Sequence, residues 1–370
     1  GRERDGRVAR GARWILAAHG VGQGVRFVAH LGVARLVAPE AFGQMLLVAL
    51  VLEGAALLSD VGLKPSIARS ERGEDPAFLD TAWTLGVLRG GLLGGGVLLL
   101  APALGALFER PDIVPLLRAG ALAPVLQGLE STRGDVLTRK LDFRRQVVVG
   151  LGSYLAGVGV MGAWAWISPS AWALLGGQLG HLGLKLVLSF TVLPGHAPRL
   201  RLEPAARREL FDFGKWILPS TALGLVAAQG DRFFLGLHLG AAALGVFAVA
   251  QRLTQTGLQV FLRLTQSILL PALGEAWRAR PEALRLEARR LRRWLDLAFL
   301  GGCGLLAGGG PIVVALLYDA RYQEAGWMLQ ILAARTALVM LAEASQTALF
   351  ARGEAQAAFR RSLARAVALI

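Results

Sequence analysis

Residues 79–108 read Leu-Asp-Thr-Ala-Trp-Thr-Leu-Gly-Val-Leu-Arg-Gly-Gly-Leu-Leu-Gly-Gly-Gly-Val-Leu-Leu-Leu-Ala-Pro-Ala-Leu-Gly-Ala-Leu-Phe, and only Asp80 and Arg89 in this run carry charge. A bilayer core about 30 Å thick is crossed by roughly 20 apolar residues rising 1.5 Å each, so the stretch predicts a transmembrane helix with residues to spare. Working outward, comparable runs occupy 14–37, 42–63, 112–134, 146–166, 171–193, 210–232, 241–271, 294–318 and 324–350. The first is too long and too polar for a signal peptide. An eleventh begins near Ser362 and meets Ile370 before it could cross. With Gly1 in first position, the sequence is expected to be trimmed at both ends.

Composition agrees with a polytopic membrane protein. Of the 370 residues 54% are hydrophobic and 18% charged, with a mean hydropathy of +0.50, whereas soluble domains carry about a quarter charged residues. That excludes a water-soluble enzyme and a disordered regulator. A single cysteine, Cys303, excludes intramolecular disulfides and any Cys-based metal cluster. The formal charge is +14, and 36 of the 40 basic residues are arginine. These lie in short clusters between apolar runs instead of covering one face, so nucleic acid is not an expected partner.

The clusters also orient the chain. Alternate connections (1–13, 64–78, 135–145, 194–209, 272–293 and 351–361) hold 26 Lys and Arg, and the opposite set holds only Arg110 and Arg321. The positive-inside rule then places the N-terminus in the cytoplasm, with exoplasmic loops of a few residues. Segment 272–293, with seven arginines and Trp277 and Trp294 nearby, reads as an amphipathic surface helix held by anionic lipid.

A shift of 202 residues aligns Arg13-Trp14-Ile15-Leu16 with Lys215-Trp216-Ile217-Leu218, Gly22 with Gly224 and Gly43 with Gly245. Six spans separate the copies, so both enter the membrane in the same direction, as parallel repeats do. The expected fold is an all-α, polytopic transmembrane bundle of two pseudo-symmetric lobes of about six helices around a central lumen. The N-lobe is residues 1–200, with helices 1–6. The C-lobe is residues 201–370, with helices 7–10 and the start of an eleventh, and is incomplete in this chain.

Specific motifs follow in order. Leu36-Val37-Ala38-Pro39-Glu40-Ala41-Phe42-Gly43, Ser59-Asp60-Val61-Gly62-Leu63, Thr138 to Arg145, Phe211-Asp212-Phe213-Gly214-Lys215-Trp216, and Asp231-Arg232 with Leu239-Gly240 to Leu244-Gly245 and Phe247 together resemble the turn and span-end motifs of the Wzx-type polysaccharide and O-antigen flippases. That family lies within the multidrug/oligosaccharidyl-lipid/polysaccharide exporter superfamily. The resemblance implies movement of an undecaprenyl-diphosphate-linked glycan from the cytoplasmic to the periplasmic leaflet by a multi-pass protein of the bacterial inner membrane. Full members have 12 to 14 spans, more than this chain shows.

Each ionisable residue at bilayer depth costs about 2.5–3.5 kcal/mol and needs an account. His19, Gln23, Arg26 and His30 follow one another at helical spacing in the first span, as do Arg252, Gln255, Gln259, Arg263 and Gln266 in the eighth and Gln178, His181 and Lys185 in the sixth. Three polar stripes on apolar helices predict a shared water-filled lumen. Its cationic bias suits a diphosphate, because the arginine fork meets phosphate oxygens two at a time. Arg26, Arg252 and Arg263 are the leading substrate contacts, followed by Arg89, Lys185 and Arg335. His19, Gln23, His30, Gln255 and Gln259 supply further lumen polarity. Arg35, Arg118, Arg133 and Arg232 lie near span ends and read as joining helices or snorkelling to the interface. Glu53 and Asp60, seven apart, are the candidates for exchanging a coupling proton or Na⁺, and are expected to share the face that Arg26 sees.

The five histidines lack metal-ligand spacing, and no nucleotide motif or Ser/His/Asp set occurs, so no metal, cofactor or catalytic residue is expected. The alternatives are a lipid-linked cell-wall precursor flippase, a cation-coupled multidrug exporter, and a membrane glycan polymerase or ligase. The last would need a long exoplasmic loop.

Overall fold

The computed structural model describes residues 20, 22, 24–59, 62–140, 142–265 and 284–351, and every regular element among them is helical. Helix α1 covers 24–36 and is followed by α2 (Pro39–Leu58), α3 (Leu63–Arg69), α4 (Pro76–Leu107), α5 (Ile113–Gly120), α6 (Leu122–Leu129) and α7 (Arg133–Arg139). Then come α8 (Arg144–Ile167), α9 (Ala171–Thr191), α10 (Pro204–His238), α11 (Ala241–Leu264), α12 (Leu284–Leu317) and α13 (Ala325–Ala351). Proline at the first helical position starts α2, α4 and α10, where its missing N–H costs nothing. At α4, Asp75 also caps the Ala77 amide at 3.0 Å.

Among the described residues, six helical segments are long and apolar enough to cross a membrane (α2, α4, α8, α9, Leu295–Leu317 of α12 and Ala325–Glu343 of α13), and the bent run from α5 through α7 makes a seventh if it is one span. Leu92, Leu99 and Leu316 stand 78–80% exposed, as lipid-facing side chains do. Helices α10 and α11 have the length, 35 and 24 residues, but carry too many polar groups to meet the same standard. The protein is a multi-pass, all-α membrane protein.

Three expected elements differ in detail. The run 112–134 is not one rod. Pro124 cannot donate to the preceding turn, so the segment breaks between α5 and α6, and α7 turns away by 54°. With Arg133, Asp135 and Arg139 in seven residues, α7 enters the basic connection 135–145. The run 42–63 ends at Leu58, and Gly62 (φ 64°) starts the separate helix α3. Finally, the described part of the arginine-rich segment, 284–293, is helical and runs without a break into span nine, as one 34-residue helix from Leu284 to Leu317 whose apolar stretch begins at Leu295. Residues 266–283, with Trp277, lie outside the described residues.

Without water to drive helices together inside a bilayer, close packing must do it, and small residues permit the approach. A Cβ at Gly90 would sit 2.5 Å from the Pro124 carbonyl, and one at Gly94 2.7 Å from that of Ala121, so α4 meets α6 on a glycine face. The same device joins α8 to α9 at Gly157 and Gly177, and α12 to α13 at Gly310 and Gly326. Gly43 faces the Ala241 carbonyl with no room for a methyl group.

By its internal contacts the chain divides into two compact units, Gly1–Leu244 and Gly245–Ile370. Helix α10 packs on α2 and α4 within the first unit. The repeat, by contrast, places the start of α10 at the opening of a second copy. Trp14, one of its two anchors, lies outside the described residues.

The connection 192–203 between α9 and α10 is tied down. Asp80 accepts from the Arg199 amide (2.9 Å) and meets His196 Nε2 at 2.7 Å. Thr84 and Thr81 accept from the Arg201 and Glu203 amides, each at 3.0 Å. Arg133 donates to the carbonyls of Phe190, Leu193 and His196. Arg72 bridges Asp75 and Glu203, which holds the Asp75 carboxyl below its usual range through the hydrogen bonds from Arg72 and from the Ala77 amide. Asp80 and Arg133 are thus committed to one loop, and the loop sets where α10 begins.

Candidate functional site

The polar residues singled out in the sequence fall at four places. The first is a file through the first unit. The Arg26 guanidinium of α1 lies over the Tyr154 ring of α8, 4.8 Å from its centroid, and its buried Nε has no hydrogen-bond partner among the described residues. Tyr154 meets the His181 ring of α9 edge-on at 5.9 Å. One turn along α9, Lys185 Nζ sits 2.8 Å from Glu130 Oε1 and 2.9 Å from Oε2. Arg26 and Lys185, from two separate stripes, therefore belong to one path. His30 packs edge-on against Phe42 at 5.3 Å.

Lys185 and Glu130 open into a polar cavity of about 380 Å³, with Lys64, Asp135 and Gln146 also in its wall. Gln146 donates to the Gly134 carbonyl and to Thr138 Oγ1, fastening α7 to α8. Burial pushes the Asp135 carboxyl up to about 6, with Lys64 and Lys185 pulling it down and Glu130 pushing it up.

The second place is the end of α2. Arg89 of α4 donates to the Ala56 carbonyl at 2.6 Å and to Ser59 Oγ at 3.0 Å, satisfying carbonyl capacity that a helix end leaves open. It borders an apolar recess with Leu88, Leu92 and Leu210. Leu92 and Leu93 continue into an apolar groove of about 550 Å³ between α2, α4 and α10.

The third is the α2–α10 contact. Glu53 accepts from Gln229 Nε2 at 2.8 Å and pairs with Arg232 Nη1 at 3.4 Å. The carboxylate expected to face Arg26 is therefore held by Arg232 instead. Arg232, read from sequence as joining helices or snorkelling, does the former and is 17% exposed where Glu53 is 54%. Arg133 likewise turns inward to three carbonyls. A residue near a span end snorkels only if nothing nearer needs its donors.

The fourth lies in the second unit. On α11, Arg252 and Gln255 are half-buried, while Gln259 and Arg263 are exposed. Gln251 and Thr254 beside them are buried. Arg335 is half-buried on α13. His19, Gln23 and Asp60 lie outside the described residues. Among those that are described, no group of three or more His, Cys, Asp or Glu side chains could hold a metal.

Sequence reading missed Tyr154, Glu130 and Asp135. Glu130 and Lys185 stand at corresponding depths of adjacent spans. That is the one signal by which the pair could have been found.

Comparison with known proteins bears on what these places serve. The profile of a family described as polysaccharide biosynthesis protein matches residues 33–345. The succinoglycan biosynthesis transport protein ExoT of Rhizobium meliloti (strain 1021) is 24% identical over 271 residues, 72% of this chain and 54% of that protein. The lipopolysaccharide biosynthesis protein WzxC of Escherichia coli (strain K12) is 22% identical over 266 residues, again 72% and 54%. The chain thus spans about half the length of these relatives. Among solved structures, an inward-facing multidrug resistance MATE family transporter of the MOP superfamily superposes with a TM-score of 0.65 at 18% identity, covering 95% of this chain and 84% of that one. A MOP superfamily transporter from Pyrococcus furiosus, described as having a binding pocket of reversed polarity, gives 0.52 at 16% identity, covering 96% and 82%. The fold is that of the MOP superfamily transporters.

Proposed function

The chain belongs to the polysaccharide biosynthesis protein family, and on that premise we propose that it flips a polyprenyl-diphosphate-linked oligosaccharide from the cytoplasmic to the periplasmic leaflet, for polysaccharide or O-antigen export. The observation that carries the reading is the family match across residues 33–345, a family whose relatives ExoT and WzxC are named for polysaccharide transport and biosynthesis. The cationic residues favour an anionic head group over a cationic drug: Arg26 lies on α1, Arg252 and Arg263 on α11 and Arg335 on α13. Cation-coupled multidrug export is the reading the named MATE neighbours would suggest, but at 18% identity they bear on fold alone.

In this mechanism the lobes alternate access about a lumen, and the head group moves between guanidinium groups. Attraction must replace the hydration lost by the diphosphate, yet be divided so that no one site traps it. Arg252 and Arg263 are eleven residues apart on α11, about 16 Å along the axis. They suit successive contacts, Arg252 toward the exoplasmic side. The excess of basic residues in alternate connections supports a cytoplasmic N-terminus and the bacterial inner membrane. A glycan polymerase fits less well. Among the described residues, the connections at the sparsely charged end are short, the longest being 318–324.

The test is export in cells deprived of the native gene. Arg252→Ala and Arg263→Ala should abolish surface glycan while protein stays in the membrane, and lipid-linked glycan should accumulate inside. Full export by both variants would refute the cationic pathway. Normal surface glycan in cells lacking the gene altogether would refute the assignment.

A further inference from the structure

The polar cavity at the basic end of the first unit contains two ammonium groups and two carboxylates in unequal circumstances. Lys185 grips both oxygens of Glu130. No hydrogen bond reaches the Asp135 side chain from any described residue, although it forms part of the same wall. The charges facing it are Lys64 from α3, Lys185 from α9 and Glu130 from the turn before α7. Helix α8 contributes only the uncharged Gln146. The remaining cations of α7 are occupied elsewhere: Arg133 on the carbonyls of 190, 193 and 196, and Arg139 on those of Ile67 and Ser70 and on Glu74.

We propose that Asp135 is a proton-binding site of the first unit, taking its proton through the polar cavity from the basic end of the helices and answering through Lys64 and Lys185. With both acids ionised the cavity is neutral. Asp135 takes one proton from water and becomes a neutral acid, leaving one net positive charge. A metal cation in the same space would meet two ammonium groups, whereas a proton ends the cost of keeping a half-buried carboxylate charged. Protonation removes what draws Lys64 of α3 and Lys185 of α9 toward α7, so it loosens the junction α7 makes with both helices. Past Lys185 the file continues to His181, whose Nδ1 is buried without a partner among the described residues, and on to Tyr154 and Arg26. A proton taken up at Asp135 is thus felt toward the middle of the lobe.

The site stands without the transport reading; only its use in driving transport rests on it. The test is infrared difference spectroscopy of the purified protein in detergent micelles, following the carbonyl stretch of protonated carboxylic acid through a pH titration. The wild type should show a carboxyl titrating near pH 6, absent in Asp135→Asn and retained in Glu53→Gln. Two further variants leave Asp135 in place, so they decide the matter even if Asp135→Asn does not fold. Lys185→Gln removes a neighbouring cation and should raise the midpoint, while Glu130→Gln removes an anion and should lower it, each by about one unit. No such titration in the wild type, its survival in Asp135→Asn, or shifts of the same sign in the two neighbours would overturn the proposal. A protein that shows this titration but flips no lipid-linked glycan would refute the transport reading and keep the site.

Discussion

Lys185 on α9 and Gln259 on α11 show two fates of a polar residue on a membrane helix. Both belong to stripes at helical spacing on otherwise apolar sequence. Lys185 is closed upon Glu130 inside one unit, with 29% and 22% of the two side chains exposed. Gln259, like Arg263 one turn further, stands exposed. Where an adjacent span offers a carboxylate or a helix-end carbonyl at the same depth, the basic residue becomes part of the architecture, as Arg89 does at Ala56 and Arg232 at Glu53. An exposed basic residue within hydrocarbon must instead look onto water or a polar substrate. A helical stripe therefore identifies candidates without telling a closed ion pair from a side chain that stands exposed.

Substitutions can break that contrast. The largest effect on function is expected at α11: Arg252→Ala or Arg263→Ala should reduce flipping roughly ten- to a hundredfold, as loss of a contact worth about 1.5–3 kcal/mol would. Membrane protein level and thermal midpoint should stay near wild type. Lys substitution should recover part of the activity, because it keeps the charge and loses the fork.

Lys185→Met should lower stability. Leaving Glu130 half-buried without its cation costs about 1–3 kcal/mol of stability. The double variant Lys185→Met/Glu130→Met should regain most of the thermal midpoint. A double variant no better than either single one would show that the pair is not the architectural unit claimed.

A smaller loss, about 1–2 kcal/mol, is expected for Arg89→Met at the end of α2, read as a lowered melting temperature of the detergent-solubilised protein.

The smallest effect is one of pH. Asp135 holds its proton up to about pH 6 in the folded state, against 3.8 for the ordinary group. Between those values the folded protein binds more protons than the unfolded one, so this residue's contribution to stability grows as pH falls from about 6 toward 4. The melting temperature of wild type minus that of Asp135→Asn should rise by a few degrees over that interval and level off outside it. A flat difference would contradict the raised carboxyl.

Much of the fold was legible in the sequence because hydrocarbon tolerates so few alternatives. Runs such as 79–108 and 146–166 had to be helices, and α4 and α8 contain them. What composition could not show was where a helix gives way. The break at Ala121 follows from Pro124 within an otherwise apolar run, and the α3 turn from Gly62. The candidate sites were legible only as faces. The stripe through His181 and Lys185 was visible at +4 spacing. That its partner is Glu130, with Asp135 beside it, depends on how α6, α7 and α9 converge, and no periodicity within one helix reports that. Arg133 and Arg232 fill the helix-joining role that their places near span ends suggest, but distance from a span end says nothing about which carbonyl or carboxylate lies within reach.

The central claim is that basic residues of α11 carry an anionic, lipid-linked head group across the bilayer. It is tested most directly by reconstituting the full-length protein into vesicles loaded with a fluorescent polyprenyl-diphosphate oligosaccharide and measuring the fraction that becomes accessible to a glycan-binding probe in the opposite leaflet. The account predicts accumulation well above protein-free vesicles with wild type, and near background with Arg252→Ala. Equal movement by wild type and Arg252→Ala, or none by wild type, would contradict it.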